Sequence, residues 1–289
     1  MEVDAPNPDQ HKVEPYPEER RQTLLKWNIG AACLHFVQSF VQLILALTVD
    51  NFKNFKLPLR NYHWTMIETA PDGSGYLQTV SNSLGNVAIG PLICIFFFLS
   101  AFFHCLVCLP KFHQMYWSQI NAGRNYFRWI EYSISSTVMI WIIAMLFGVN
   151  DITLLISISF ANATMNFLGL FQERYNNVRD TQWTVDWLPF QLGCFIGACE
   201  WVVVFAYVLG SQLEDGSELP GFVWGILIGY VLFFNTFPVN MYLQYKRVSY
   251  WQDYIFGEWC YIVLSLASKT LLGWLVFGGL NQPNEFTDS

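Results

Sequence analysis

Predominantly apolar stretches, each of about the twenty residues a helix needs to cross a bilayer, recur seven times along the chain. They lie at Leu24–Val49, Leu84–Leu109, Asn125–Val149, Ile152–Phe171, Trp187–Gly210, Pro220–Tyr245 and Tyr254–Gly279. The pattern predicts seven transmembrane helices in one bundle. The segment Asp50–Ser83 breaks the rhythm: Tyr62-His-Trp-Thr-Met-Ile-Glu-Thr-Ala70 is followed by the turn formers Pro71-Asp-Gly-Ser-Gly75 and then by Tyr76-Leu-Gln-Thr-Val80. Two β-prone runs around a Pro/Gly turn read as a β-hairpin. The expected fold is therefore an all-α membrane protein, a seven-helix bundle with a hairpin in its first outer loop. Residues 1–23 form an acidic tail, 24–279 the bundle and 280–289 a short C-terminal tail.

Composition agrees with a membrane protein: 53% of residues are apolar, 18% aromatic and 13% charged, and the mean hydropathy is +0.30. No soluble domain is expected. Lys and Arg set the orientation. If the N-terminus is inside, Lys12, Arg20, Arg21, Lys26, Lys111, Arg124, Arg174, Arg179, Lys246 and Arg247 are cytoplasmic, against only Lys53, Lys56 and Arg60 outside. The positive-inside rule then gives a cytoplasmic N-terminus and an extracellular C-terminus. Met1–Glu19 lacks the pattern of a signal peptide and reads as a cytosolic tail. The net charge of −7 sits largely in tails and loops and points to no nucleic-acid partner. All seven cysteines fall in the spans, so no disulfide framework is expected. Cys105-x-x-Cys108 lacks a second ligand pair for a metal.

The remaining two cations, Arg128 and Lys269, fall within spans. Lys269 lies in the apolar run Tyr261–Phe277, where an unpaired charge costs at least ~3 kcal/mol. A desolvated amine is a nucleophile toward carbonyls, and retinal is the aldehyde that membrane helix bundles most often hold as a lysine Schiff base. The bland alternative is a lysine that snorkels to the interface. Glu131 is the natural counterion for Lys269, although it lies three residues from Arg128 and an internal Arg128–Glu131 pair is also open. Glu258, Ser265 and Lys269 share one helix face, which puts a hydroxyl a turn from the amine; Ser265 could equally bond a helix carbonyl. Glu258 reads as a solvated interfacial acid. His35 and His104 both lie roughly 10–14 Å inside the cytoplasmic boundary, level with Glu131, as a polar cluster or as two separate packed histidines. Counted from Asp253, Lys269 is ~24 Å deep, and whether it reaches back to Glu131 is left open.

Phe127-Arg-Trp-Ile-Glu-Tyr-Ser133, Leu99-Ser-Ala-Phe-Phe-His104, Tyr261-Ile-Val-Leu-Ser-Leu-Ala-Ser-Lys269 and Leu243-Gln-Tyr-Lys246 together resemble the heliorhodopsins, from about Leu25 to Gly279. The resemblance implies an inverted seven-helix photoreceptor and not an enzyme, with all-trans retinal on Lys269 and Glu131 as counterion. It further implies Ser265 beside the Schiff base, His35 and His104 with Arg128 around a cytoplasmic polar cavity, and Trp201, Phe234 and Asn162 in the retinal pocket. Glu173 matches a polar position of the fourth helix, with no metal implied. Implied partners are retinal, the lipid bilayer, a second copy in a homodimer and a cytoplasmic signalling partner. The Gly193-x-x-x-Gly197 pair suits close helix approach. Glu200 departs from the pattern, placing an acid beside Trp201 and opening a proton path as the competing reading, that of a light-gated or light-driven proton transporter. Against pumping, the position eleven residues after Glu131, where proton pumps carry a second acid, is Ile142.

Overall fold

The computed structural model describes residues 14–68, 75–179, 184–215 and 221–280. Seven of its helices are long and apolar enough to cross a membrane: α1 (Glu18–Thr48), α3 (Ile89–Cys108), α5 (Tyr126–Leu146), α6 (Ile152–Tyr175), α7 (Leu188–Asp215), α8 (Gly221–Tyr245) and α9 (Tyr254–Gly279). Between them lie the short helices α2 (Asp50–Asn54) and α4 (Pro110–Asn121), and the antiparallel pair β1 (Lys56–Glu68) and β2 (Gly75–Ala88). The chain is thus an integral, multi-pass membrane protein. Phe160, Val202 and Leu232 are 71%, 68% and 62% exposed, the outward apolar faces that hydrocarbon covers.

The helix boundaries differ from the hydropathy reading in three places. First, α1 begins at Glu18, inside the stretch assigned to the tail. Pro17 precedes it and Glu18 and Glu19 occupy its first turn, where acids complement the helix dipole. Second, Leu84–Ala88 continue β2 instead of opening the second span. Leu84, Val87 and Ala88 are apolar enough for either element, but Gly85 has a left-handed φ of 113° and a bulge falls between Leu59 and Arg60 opposite it. The expected turn at Pro71–Ser74 lies outside the described residues.

Third, α4 is a separate amphipathic helix. Pro110 stands in its first turn, and His113, Tyr116 and Ile120 form its buried stripe. The hairpin is pinned over the α5–α6 turn, where Arg60 donates its backbone N–H to Asn150 O at 2.8 Å and the Tyr62 hydroxyl donates to Asn150 Oδ1 at 3.0 Å.

Two hydrophobic regions fill the bundle. Near the hairpin Phe52, Ile89, Phe97, Ile140, Ile143 and Val276 pack together. Toward the opposite end, where the chain begins, an aromatic set of Tyr116, Trp129, Tyr132, Tyr245, Tyr254 and Tyr261 takes over. Close approach of α5 and α6 depends on Gly169, since a Cβ there would run into the Trp129 ring. Interior polar residues occur on all seven spans, Glu200 of α7 and Asn240 and Gln244 of α8 among them.

Candidate functional site

Lys269 lies sixteen residues into α9 and Glu131 six residues into α5, yet the two form a buried ion pair. Helical Cα–Cβ bonds tilt toward the helix start, so the lysine runs back toward the beginning of α9 and meets the carboxylate there. Ser100 of α3 completes a triangle: Lys269 Nζ donates to its hydroxyl at 2.7 Å, and that hydroxyl donates to Glu131 Oε1 at 2.9 Å. Lys269, Glu131 and Ser100 are 6%, 4% and 0% exposed. Such a pair is held only because each charge has its partner and further hydrogen bonds. The Tyr132 and Phe96 rings lie 5.3 and 5.8 Å from Nζ.

A cavity of about 240 Å³ extends from Lys269 between α5, α6, α7 and α8. Its walls are largely aromatic and include Trp201, Tyr230, Phe233, Phe234 and Phe237. Trp201 packs 4.7 Å from Tyr230 and edge-on to Phe234 at 5.6 Å. Asn162 is not among the lining residues. It is fully buried, donating to Ser136 at 2.7 Å and Thr137 at 2.9 Å, and Asn166, one turn on, lines the cavity instead. Gly193 and Gly197 face Met165 and Leu168 of α6, so the close approach they serve lies within the chain.

The hydroxyl bonded to Lys269 is Ser100, not Ser265. Ser265 Oγ has no hydrogen-bond partner among the described residues; it lines a second, small cavity with Asn28, His104, Arg128 and Glu131. Ser100 was within reach of sequence reasoning, since it precedes His104 by four residues and shares its helix face. His35 and His104 come together as parallel rings with centroids 5.9 Å apart. His104 Nδ1 lies 2.9 Å from Asn28 Oδ1, while both ring nitrogens of His35 are buried with no partner among the described residues. Buried polar atoms of this kind usually hold ordered water.

Arg128 and Glu131 do not pair. Arg128 instead forks between Glu173 of α6 and Glu258 of α9, lying 3.8 Å from the Tyr261 ring centre. Glu258 is 1% exposed and not a solvated interfacial acid, because Arg128 of α5 reaches across to it as its cation. Asn125 ties the acids together, its backbone N–H donating to Glu173 at 2.9 Å and its side chain to Glu258 at 2.7 Å. Trp129 Nε1 adds a bond to Glu173 at 2.7 Å. Glu200 is 4% exposed beside Trp201, and neither carboxyl oxygen has a partner among the described residues. Within the same residues no three His, Cys, Asp or Glu side chains are arranged to hold a metal.

Seven membrane helices around a lysine that a carboxylate neutralises, with an aromatic cavity leading away from it, describe the rhodopsin class, whose members bind retinal. Sequence gives the branch: residues 24–280 match the heliorhodopsin family, and the chain belongs to it. Among solved structures the chain is similar to the light-driven proton pump LR (Mac) of Leptosphaeria maculans, at 13% identity and a TM-score of 0.47 over 93% of this chain and 96% of that one. No curated protein matches the sequence.

Proposed function

We propose that this heliorhodopsin is a light sensor that signals without pumping ions, with Lys269 carrying all-trans retinal and Glu131 as its counterion. The observation that supports it is the Lys269–Glu131–Ser100 triangle at the end of the aromatic cavity. These residues fit retinal: the amine is the one described cation bordering the cavity, and Trp201 and Phe234 are among the aromatic rings of its wall, against which a flat polyene packs. When bound, retinal supplies the light absorption and the change of shape. Glu131 stabilises positive charge on the Lys269 nitrogen, and Ser100 holds the carboxylate in place. The His35–His104 pair with its hydrated surroundings takes up a proton released from that nitrogen, keeping it inside the protein. Ile142 is fully buried where a pump would need an acid, which supports retention over export. The signal would pass to a cytoplasmic partner across the N-terminal face, with the N-terminus inside the cell, the C-terminus outside, and the protein working as a homodimer in the lipid bilayer.

Glu131→Gln tests the counterion. Without the carboxylate, the band at neutral pH moves to the blue where the Lys269 nitrogen becomes uncharged, and to the red where the charge persists. An unaltered spectrum at every pH between 5 and 9 would remove Glu131 from this role and make Glu200 the next acid to test.

Glu200 favours a second reading, because an acid in mid-membrane without a partner among the described residues is by default functional. If it extends a proton path past the cavity, illuminated cells under voltage clamp show a current that Glu200→Gln removes. The sensory reading expects no current from the wild type, and a wild-type current lost in Glu200→Gln would establish transport in its place.

A further inference from the structure

Asn28 takes no part in the Lys269 pair, yet its surroundings fix the direction of its amide. It is 4% exposed, and its Nδ2 donates to the Leu24 carbonyl at 2.9 Å and to the Tyr116 hydroxyl at 3.5 Å. A carbonyl only accepts, so nitrogen must face Leu24 and oxygen must face His104. The flipped amide would set Oδ1 against the Leu24 oxygen with no proton between them. His104 Nδ1, 2.9 Å from Asn28 Oδ1, therefore meets a pure acceptor and must carry the hydrogen. In the neutral ring the lone pair is then on Nε2.

The environment of that lone pair is specific. His104 lies parallel to His35 of α1, and the charges acting on it are Glu131 of α5 and Lys269 of α9. His104 and Glu131 line the same small cavity of about 40 Å³, enough for at least one water. We propose that Asn28 is a positioning residue that holds His104 as its Nδ1–H tautomer, making Nε2 the atom that takes up the proton leaving the Lys269 nitrogen. The N–H bond at Lys269 breaks, leaving its electron pair on that nitrogen, a new N–H bond forms on the lone pair of Nε2, directly or through the water, and no atom changes oxidation state. The resulting imidazolium keeps its Nδ1–H on Asn28 Oδ1, now as a charge-assisted bond and correspondingly stronger. The opposite tautomer would leave Nε2 already protonated and set the lone pair of Nδ1 against the Asn28 oxygen, acceptor against acceptor. Tyr116 of α4 matters in this scheme because it helps hold the amide from the N-terminal face, linking that short helix to the histidine.

The uptake half of the proposal rests on the assignment of the histidine pair as acceptor; the tautomer half does not, and the experiment separates them. Solid-state NMR of ¹⁵N-histidine-labelled protein in the dark, with His104 assigned by difference against His104→Gln, should show a protonated Nδ1 and an unprotonated Nε2. The wild type alone decides this, with or without retinal. Asn28→Leu should give a mixture of tautomers. In flash spectroscopy Asn28→Leu should slow proton loss from the Lys269 nitrogen by about ten-fold, the lower end of what loss of the second hydrogen bond costs a metal-bound histidine. A wild-type Nε2–H tautomer, or a tautomer indifferent to Asn28→Leu, overturns the proposal. The expected NMR pattern together with unchanged kinetics in Asn28→Leu overturns the uptake at Nε2 and, with it, the acceptor role of His104.

Discussion

Lys269→Ala is expected to give a protein with no visible absorption band on addition of all-trans retinal. Lys269 supplies the amine at the cavity, and the other buried Lys or Arg among the described residues, Arg128, is engaged by two acids and cannot act as a nucleophile. The substitution also strands a carboxylate. With Lys269 gone, Glu131 keeps the Ser100 hydroxyl but no cation to pair with, and breaking one side of a buried pair costs about 3–5 kcal/mol unless the remaining group becomes neutral. The double variant Lys269→Ala/Glu131→Gln should therefore be more thermally stable than Lys269→Ala, though equally colourless. A visible band in either variant would transfer the chromophore to another residue. Equal melting temperatures would show that Glu131 already sits neutral in the single variant.

What the sequence made legible follows from how local each signal is. The seven spans and the hairpin are written in runs of neighbouring residues, and hydropathy and turn chemistry recover them. The strand at Leu84–Ala88 was misread because a short apolar run suits a helix or a strand, and only Gly85 hinted at the latter. Helix α4 escaped because twelve half-polar residues beside two strong spans do not stand out, although Pro110 and the spacing of His113, Tyr116 and Ile120 mark it. The site was harder, since it is assembled across helices. Lys269 announces itself by being a charge in an apolar run, but which hydroxyl meets it depends on α3, which no face count on α9 can reveal. The same limit explains Glu258: its own helix gives it an angle, and α5 gives it a cation. Arg128 shows the converse, an i,i+3 acid passed over for two partners from other helices.

The Arg128 cluster carries the other large expected effect. One guanidinium stands between Glu173 and Glu258, 0% and 1% exposed in their side chains, and the fork of its N–H groups lets it serve both at once. Arg128→Met leaves two carboxyls facing each other in the interior with no cation, held only by Asn125, Trp129 and Tyr254. The loss should reach about 3–5 kcal/mol or more, read as a collapse of pigment yield and a fall in melting temperature. Arg128→Lys should rescue little, because a single ammonium cannot span both acids in the fork geometry. Glu258→Gln or Glu173→Gln alone should be milder, since each leaves a one-to-one pair. The triple variant Arg128→Met/Glu173→Gln/Glu258→Gln should recover most of the loss, as buried ion networks replaced whole by neutral groups commonly do. If Arg128→Met were as stable as the wild type, or if the triple variant were worse than Arg128→Met, the cluster would not be bound together by the arginine's charge. Packing of Arg128 on Tyr261 and Trp129 would then be what it contributes to the joint between α5, α6 and α9.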